Sequence, residues 1–247
     1  MLKSPYINRR TLAAAAIVLA AVLCAALPSA NRAFGIKIPK GYEVVGVDVS
    51  RYQGKINWKN IENIVDGKKK VAIRFAILKA TEGRSLKDPM FDASWKNISQ
   101  TKLIRGAYHY FVPSRDASEQ AKNFIDCVEL KRGDLPPVLD VETLGGRSVA
   151  KLRENMKIWL KEVEKHYAIK PIIYSYIDFY EQYLADDDEL KDYPFWVAHY
   201  HKRKIRFQEK WFFWQFSDCG RIAGIAEDVD FNVFNGTFEQ LLELCKK

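Results

Sequence analysis

The chain is poor in the residues that usually carry nucleophilic or metal chemistry. It has four cysteines in 247 residues and no Cys-x-x-Cys pair. Cys127, Cys219 and Cys245 have no histidine at zinc spacing, so neither a metal site nor a cysteine framework is expected. There is no Gly-x-Ser-x-Gly elbow, and neither His109 nor His199 has an evident nucleophile partner, which leaves serine and cysteine hydrolases without support. The Gly145-Gly146-Arg147 loop lacks a Walker lysine, which argues against a phosphate cradle. After residue 41 the sequence shows no internal repeat, low-complexity tract or Pro/Ser linker, so 37–247 reads as one catalytic domain. No cofactor is expected.

Acidic residues are missing from the first 36 positions, which carry Lys3, Arg9, Arg10 and Arg32. The formal net charge of +8 is therefore partly an N-terminal effect, with 35 basic against 31 acidic side chains in the remainder. Such a weak excess does not predict a nucleic-acid partner. The uncharged run from Thr11 to Ala30 is apolar on all faces. Its length falls between the roughly 7 to 15 residues of a signal-peptide core and the ~20 of a spanning helix. Residues 1–36 are thus read as an export signal or membrane anchor, with anchoring by residues 11–30. Leu23 stands before Cys24 where a lipoprotein signal would have a small residue, so lipid attachment is not expected. The remainder is expected outside the cytoplasmic membrane, whether periplasmic, secreted or held at its outer face. A monomer is expected.

What is present is a 48% hydrophobic, 13% aromatic chain, enough to bury one large core. Short β-branched and aromatic runs alternate with helical periods: Val44–Val49, Val71–Lys79, Gly106–Phe111, Pro137–Val141 and Pro171–Tyr176 read as strands. Asp88–Ser99, Asp116–Leu130 and Ser148–His166 read as helices opened by Asp or Ser, and Phe238–Leu244 as a final helix. After Tyr176, Phe195–Ala198, Trp211–Ser217 and Val229–Phe231 follow with little room for helices, which suggests an antiparallel closure. The expected fold class is α/β, a flattened TIM-like β/α barrel of about five βα units closed by three further strands. Its site is expected at the C-terminal ends of the strands.

Leu135 to Glu142 is an apolar strand ending in Asp140 and Glu142. Alternation puts both carboxylates on one face, with Cα atoms about 6.6 Å apart at ~3.3 Å per residue. Each charge then raises the other's pKa, and paired unequal carboxylates suit glycoside hydrolysis. Glu142, with the longer reach, is the candidate acid and Asp140 the stabiliser. Asp48 ends the first strand and Asp230 lies in the last, neighbours in a closed barrel, so four carboxylates converge. A cluster of like charges is costly to bury and favours function over packing. Lys79 and Glu82 end another strand as a candidate ion pair. Tyr108, His109, Tyr110, Tyr174, Tyr176, Trp196, Tyr200, Trp214 and Gln215 supply aromatic and hydrogen-bonding groups, about half of them expected in the core.

Asp48-Val49-Ser50-Arg51-Tyr52-Gln53-Gly54, Lys79-Ala80-Thr81-Glu82-Gly83, Gly106-Ala107-Tyr108-His109-Tyr110-Phe111, Leu139-Asp140-Val141-Glu142, Trp196-Val197-Ala198, Trp214-Gln215-Phe216 and Val229-Asp230-Phe231-Asn232 together resemble glycoside hydrolase family 25, the Chalaropsis-type lysozymes. The resemblance covers roughly Tyr42 to Asn235. It implies an N-acetylmuramidase that cleaves the β-1,4 bond between N-acetylmuramic acid and N-acetylglucosamine in peptidoglycan with acetamido assistance and net retention. It places the acid/base on Glu142, Asp140 beside the 2-acetamido group, and Asp48 and Asp230 at supporting acidic positions. Gln53, Lys79, Tyr108, Tyr174, Trp196 and Gln215 fall where similar proteins line the groove. Arg51 stands where histidine is common, and Ala226-Glu227-Asp228 replaces a more Gly-rich approach. Two alternatives stay open: a non-catalytic glycan-binding barrel, and a hydrolase of chitin-like polymers working by the same route.

Overall fold

The computed structural model describes residues 37–245 apart from 62, 67, 68, 201 and 203. The export segment and the 11–30 anchor lie outside the described residues. Among those described, no helix is long and apolar enough to cross a membrane.

Ten strands form: β1 (Val45–Val49), β2 (Asn63–Asp66), β3 (Lys69–Glu82), β4 (Leu86–Lys87), β5 (Ile104–Tyr110), β6 (Val138–Asp140), β7 (Ile172–Tyr176), β8 (Phe195–Ala198), β9 (Trp211–Gly220) and β10 (Val229–Phe234). Eight of them close into a barrel in the order β1, β3, β5, β6, β7, β8, β9, β10 and back to β1, while β2 and β4 flank β3. Pairing is parallel from β1 through β9. Within the barrel β9–β10 and β10–β1 are antiparallel, as are the flanking pairs β2–β3 and β3–β4. The expected antiparallel closure is therefore confined to the last strand, because the stretch between β8 and β9 is long enough to return the chain for a parallel pairing.

The helices are α1 (Phe91–Ile98), α2 (Ala117–Cys127), α3 (Val149–Tyr167), α4 (Ile177–Tyr183), α5 (Asp188–Lys191) and α6 (Phe238–Leu244). The Asp116, Ser148 and Thr237 side chains cap α2, α3 and α6 by accepting from backbone N–H groups two or three residues into each helix. Along α3, Leu152, Met156, Trp159, Leu160, Val163 and Tyr167 make one buried stripe. The helix stops at Ala168, which adopts a left-handed φ of 55°. α4 and α5 occupy the stretch after Tyr176, where little room for helices was expected. Tyr180 on α4 packs edge-on against Phe195 and Phe207, so its stripe is aromatic and spaced too briefly to register as a helical period.

Strand alternation separates two cores. Phe75, Ile77, Val138, Ile172, Tyr174, Trp196, Phe213 and Phe234 fill the barrel. Val45, Val47, Ala76, Leu78, Leu139, Ile173, Val197, Trp214, Phe231 and Val233 face outward and join the helices, including Trp159 and Leu160. Gly46 faces the interior, where the Phe75 ring takes the space: a Cβ there would sit 2.4 Å from it. The β9–β10–β1 sector is covered by the segment before β1, whose Tyr42 ring packs 6.0 Å from Trp211 and 5.8 Å from Trp214.

Candidate active site

Because β1, β3 and β5 to β9 run the same way, their C-terminal ends gather at one mouth, and the reversed β10 brings its N-terminal end there. Asp230 is thereby set directly opposite Asp48 across the β1–β10 pair. Asp140 is the last residue of β6, in register with Tyr110 on one side and Tyr174 on the other. Glu142 stands one alternation further on, past the strand end and less buried than Asp140.

Asp48 is 6% exposed and anchors a chain of hydrogen bonds. Its Oδ2 accepts from Gln215 Nε2 at 2.8 Å and from Asn232 Nδ2 at 2.7 Å. Gln215 Oε1 in turn accepts from the Tyr174 and Tyr200 hydroxyls at 2.7 and 2.8 Å, and Asn232 Oδ1 accepts from Trp196 Nε1 at 2.8 Å. Every link is donor to acceptor, with the accepting end on a carboxylate, so the network is satisfied while Asp48 is ionised. Burial nonetheless lifts its pKa to about 6, against the lowering effect of those amides. Asp230 is raised well above the carboxylate range, by burial first and then by the Asp48 charge, and it shares a hydrogen bond with Asp48. The two therefore hold one proton between them near neutrality.

Asp140 is 6% exposed and is also raised well above its ordinary value, by burial first and by the Glu142 charge next. Its Oδ1 is buried without a hydrogen-bond partner among the described residues. Glu142 is pushed up to about 7 by burial, against the lowering effects of Lys79 and of a hydrogen bond from Tyr176. Lys79 is the cation of the site. Its ammonium lies 2.6 Å from Glu82 and 4.7 Å from the Tyr110 ring centroid, and its charge favours the ionised forms of both Asp140 and Glu142. The expected Lys79–Glu82 pair is thus present, turned toward the carboxylates.

The fold brings together Asp48, Asp140, Glu142, Asp230, Lys79, Tyr108, Tyr174, Trp196 and Gln215. Tyr108 and Tyr174 meet Trp196 edge to face, with centroids at 6.4 and 4.6 Å. Trp196 and Gln215 are each 2% exposed, so they act as the supporting floor of the site. Gln53 lies in a short 3-10 turn, Arg51–Gln53, with both ends of its amide engaged. Its Oε1 accepts from Ser50 N at 2.9 Å and its Nε2 donates to the Asp228 carbonyl at 2.9 Å, tying the loop after β1 to the approach to β10. His109 and Trp214, considered for the sugar wall, point outward. His109 stacks on Trp159 and bonds Thr81 at 2.7 Å, and Trp214 donates to the His199 carbonyl. Asn232 is the residue the sequence reading passed over. The alternation that pairs Asp140 with Glu142 also puts Asn232 on the same face as Asp230, and that spacing was the available signal.

Comparison with known proteins follows the same outline. The model of the family described as Glycosyl hydrolases family 25 matches residues 47–225. The Escherichia coli (strain K12) "Uncharacterized protein YegX" is 46% identical over 211 residues, which cover 85% of this chain and 76% of that protein. Lysozyme M1 of Streptomyces globisporus is 33% identical over 216 residues, 82% of this chain and 71% of that one. Among solved structures, the bacterial lysozyme from Streptomyces coelicolor superposes with a TM-score of 0.75 at 30% identity, covering 83% of this chain and 98% of its own.

Proposed function

The chain belongs to glycosyl hydrolases family 25 and is a glycoside hydrolase of the lysozyme type, and from that premise we propose a muramidase that works with Glu142 as acid/base and with its substrate's own acetamido group as nucleophile. The bond cut is the β-1,4 link between N-acetylmuramic acid and N-acetylglucosamine, and the enzyme acts outside the cytoplasmic membrane, released or anchored by its N-terminal segment. The observation that carries the reading is the unequal pair at the end of β6: a partly buried carboxyl raised to about 7 beside a deeper one with an unpartnered oxygen.

An acetamido N–H donated to Asp140 Oδ1 would satisfy that oxygen and favour its ionised form. Ionised Asp140 then holds the proton of the pair on Glu142, so substrate binding sorts two similar acids into a base and an acid. In the first step Glu142 protonates the glycosidic oxygen as its bond to C1 breaks. The acetamido carbonyl oxygen bonds to C1, and Asp140 stabilises the positive charge that develops on the amide nitrogen. In the second step the Glu142 carboxylate takes a proton from water, which adds to C1 from the face that the leaving group left, and the C1–acetamido bond breaks. Two inversions give net retention. Lys79 limits how far the carboxyl pKa values rise, and the Asp48–Gln215–Asn232 chain fixes the acidic floor on rigid strands.

The test is mass spectrometry of borohydride-reduced fragments from purified peptidoglycan treated with the protein or with Glu142→Gln. New reduced muramic-acid ends, absent with the variant, are expected. Reduced glucosamine ends would identify a glucosaminidase. Wall binding without cleavage would mean a glycan-binding barrel. Proton NMR of the first-formed anomer should show β product, and α product would exclude the acetamido route.

A further inference from the structure

A separate cavity of about 290 Å³ opens beside the carboxylate mouth, between the β3–β4 turn and the loop after β5. Glu82, Arg84 and Leu86 border one side, Val112 and Arg115 the other. One helix holds both walls. From α2, Asn123 Nδ2 donates to the Gly83 and Leu86 carbonyls at 2.9 and 3.3 Å. One turn earlier, Gln120 accepts from Val112 N at 2.8 Å and donates to Val112 O at 3.2 Å. Gly83, at φ +55°, lies close enough to Val112 that an added Cβ would approach it to 3.3 Å. The cavity is therefore preorganised, and little ordering is needed to fill it.

Its charge is selective. Glu82 is bound to Lys79. Arg84 meets Glu119 at 3.2 Å, with both side chains half exposed, a weak surface pair that a better-matched anion can displace. Arg115 is exposed and has no ion-pair partner among the described residues. Two guanidinium forks on opposite walls fit a carboxylate, which each can bind bidentately. A neutral N-acetylated glycan offers no such group. Glu82 is in register with Tyr110, and Tyr110 with Asp140, so the cavity lies two strand spacings, about 10 Å, from the proposed catalytic pair.

We propose that this cavity is a subsite for a carboxylate of the peptide stem that muramic acid carries in peptidoglycan, a proposal that rests on the muramidase reading. Arg84 and Arg115 then act as specificity determinants, drawing peptide-bearing glycan into the mouth.

The experiment compares the full chain with the double variant Arg84→Gln/Arg115→Gln on soluble peptidoglycan, either intact or with its stem-peptide carboxyls methylamidated. The wild type is expected to favour the intact glycan by about 10-fold in kcat/KM, through KM, as befits charge-assisted hydrogen bonds. The variant should lose that preference while cutting methylamidated glycan at the wild-type rate. Independently, amidase-released stem peptides should bind the wild type in calorimetry but not the variant, and methylamidation of their carboxyls should abolish binding. A preference kept by the variant, or binding unaffected by methylamidation, overturns the subsite. If the peptides bind as expected and no glycan is cut, the muramidase reading fails while the carboxylate site stands. If glycan is cut with no preference and no peptide binds, the subsite alone fails.

Discussion

Glu142 should make this protein less stable as the medium turns alkaline, and its removal should reverse that. Burial lifts the carboxyl from its ordinary value of 4.5 to about 7. Between those values the folded chain retains a proton that the unfolded chain has released. The stabilisation from this group is complete below about pH 4.5 and is lost as pH rises through 7. A displacement of roughly 2.5 pH units corresponds to about 3 kcal/mol. Glutamine is nearly isosteric and never ionises. Glu142→Gln is therefore expected to match the wild type within ~1 kcal/mol at pH 4.5 and to exceed it by about 2–3 kcal/mol at pH 8. In a domain of this size that is roughly 5–10 °C in Tm. The gain includes relief of Asp140, because the Glu142 charge is the second cause of its raised pKa. Urea titrations of both proteins at pH 4.5, 6, 7 and 8 would measure it. A stability difference that does not grow with pH would refute the claim that burial raises the pKa of the carboxyl at this position. The same variant should lose ~10²- to 10⁴-fold in turnover, as expected for a general acid.

Three further outcomes follow from the geometry. Asp48→Asn replaces an acceptor-only group with one that must turn a donor or its single carbonyl toward two amide donors, and should cost about 1–3 kcal/mol in denaturant melts, with a fall in activity. Gly46→Ala forces a methyl into the Phe75 ring and should cost about 1–3 kcal/mol by the same assay, with recovery in a Gly46→Ala/Phe75→Leu protein. His109, whose pKa burial lowers to about 3, should stay neutral from pH 5 to 8, with its proton on Nε2 facing Gln120 and its Nδ1 accepting from Thr81. Nitrogen-15 NMR of the imidazole would show it, and titration near 6.5 would contradict the burial argument.

The barrel was largely legible because its strands are two-sided: apolar runs such as Val71–Lys79 and Pro137–Val141 are buried mostly on both faces, and α2 and α3 open on side-chain caps. Boundaries were less legible. β3 continues past Lys79 to Glu82, since Thr81 is buried against His109 and keeps the strand pairing through two further positions. α4 was missed because Ile177-Asp178-Phe179-Tyr180 is β-prone by composition and turns helical only where its aromatics meet Phe195 and Phe207. At the site, the carboxylates were readable because charge at the end of an apolar strand has few structural explanations. The roles of His109 and Trp214 were not, since which face of a strand they occupy depends on register. Asn232 shares the Asp230 face of β10, and its part in the site became specific only with Trp196 and Asp48 on either side of it.

The placement of β10 between β9 and β1 also sets the order of events in time. Asp48 and its facing Asp230 lie roughly 180 residues apart in the chain, so the contact between them is among the last that any folding route can make. A nascent or truncated chain that ends before Val229 has β1 and β9 as open edges and lacks the Asn232 donor that holds Asp48. Such a chain can form most of its βα units and still have no assembled acidic floor. Competence to cut a glycan thus arrives in one step with the docking of the final strand, so synthesis itself delays the enzyme until the polypeptide is nearly complete.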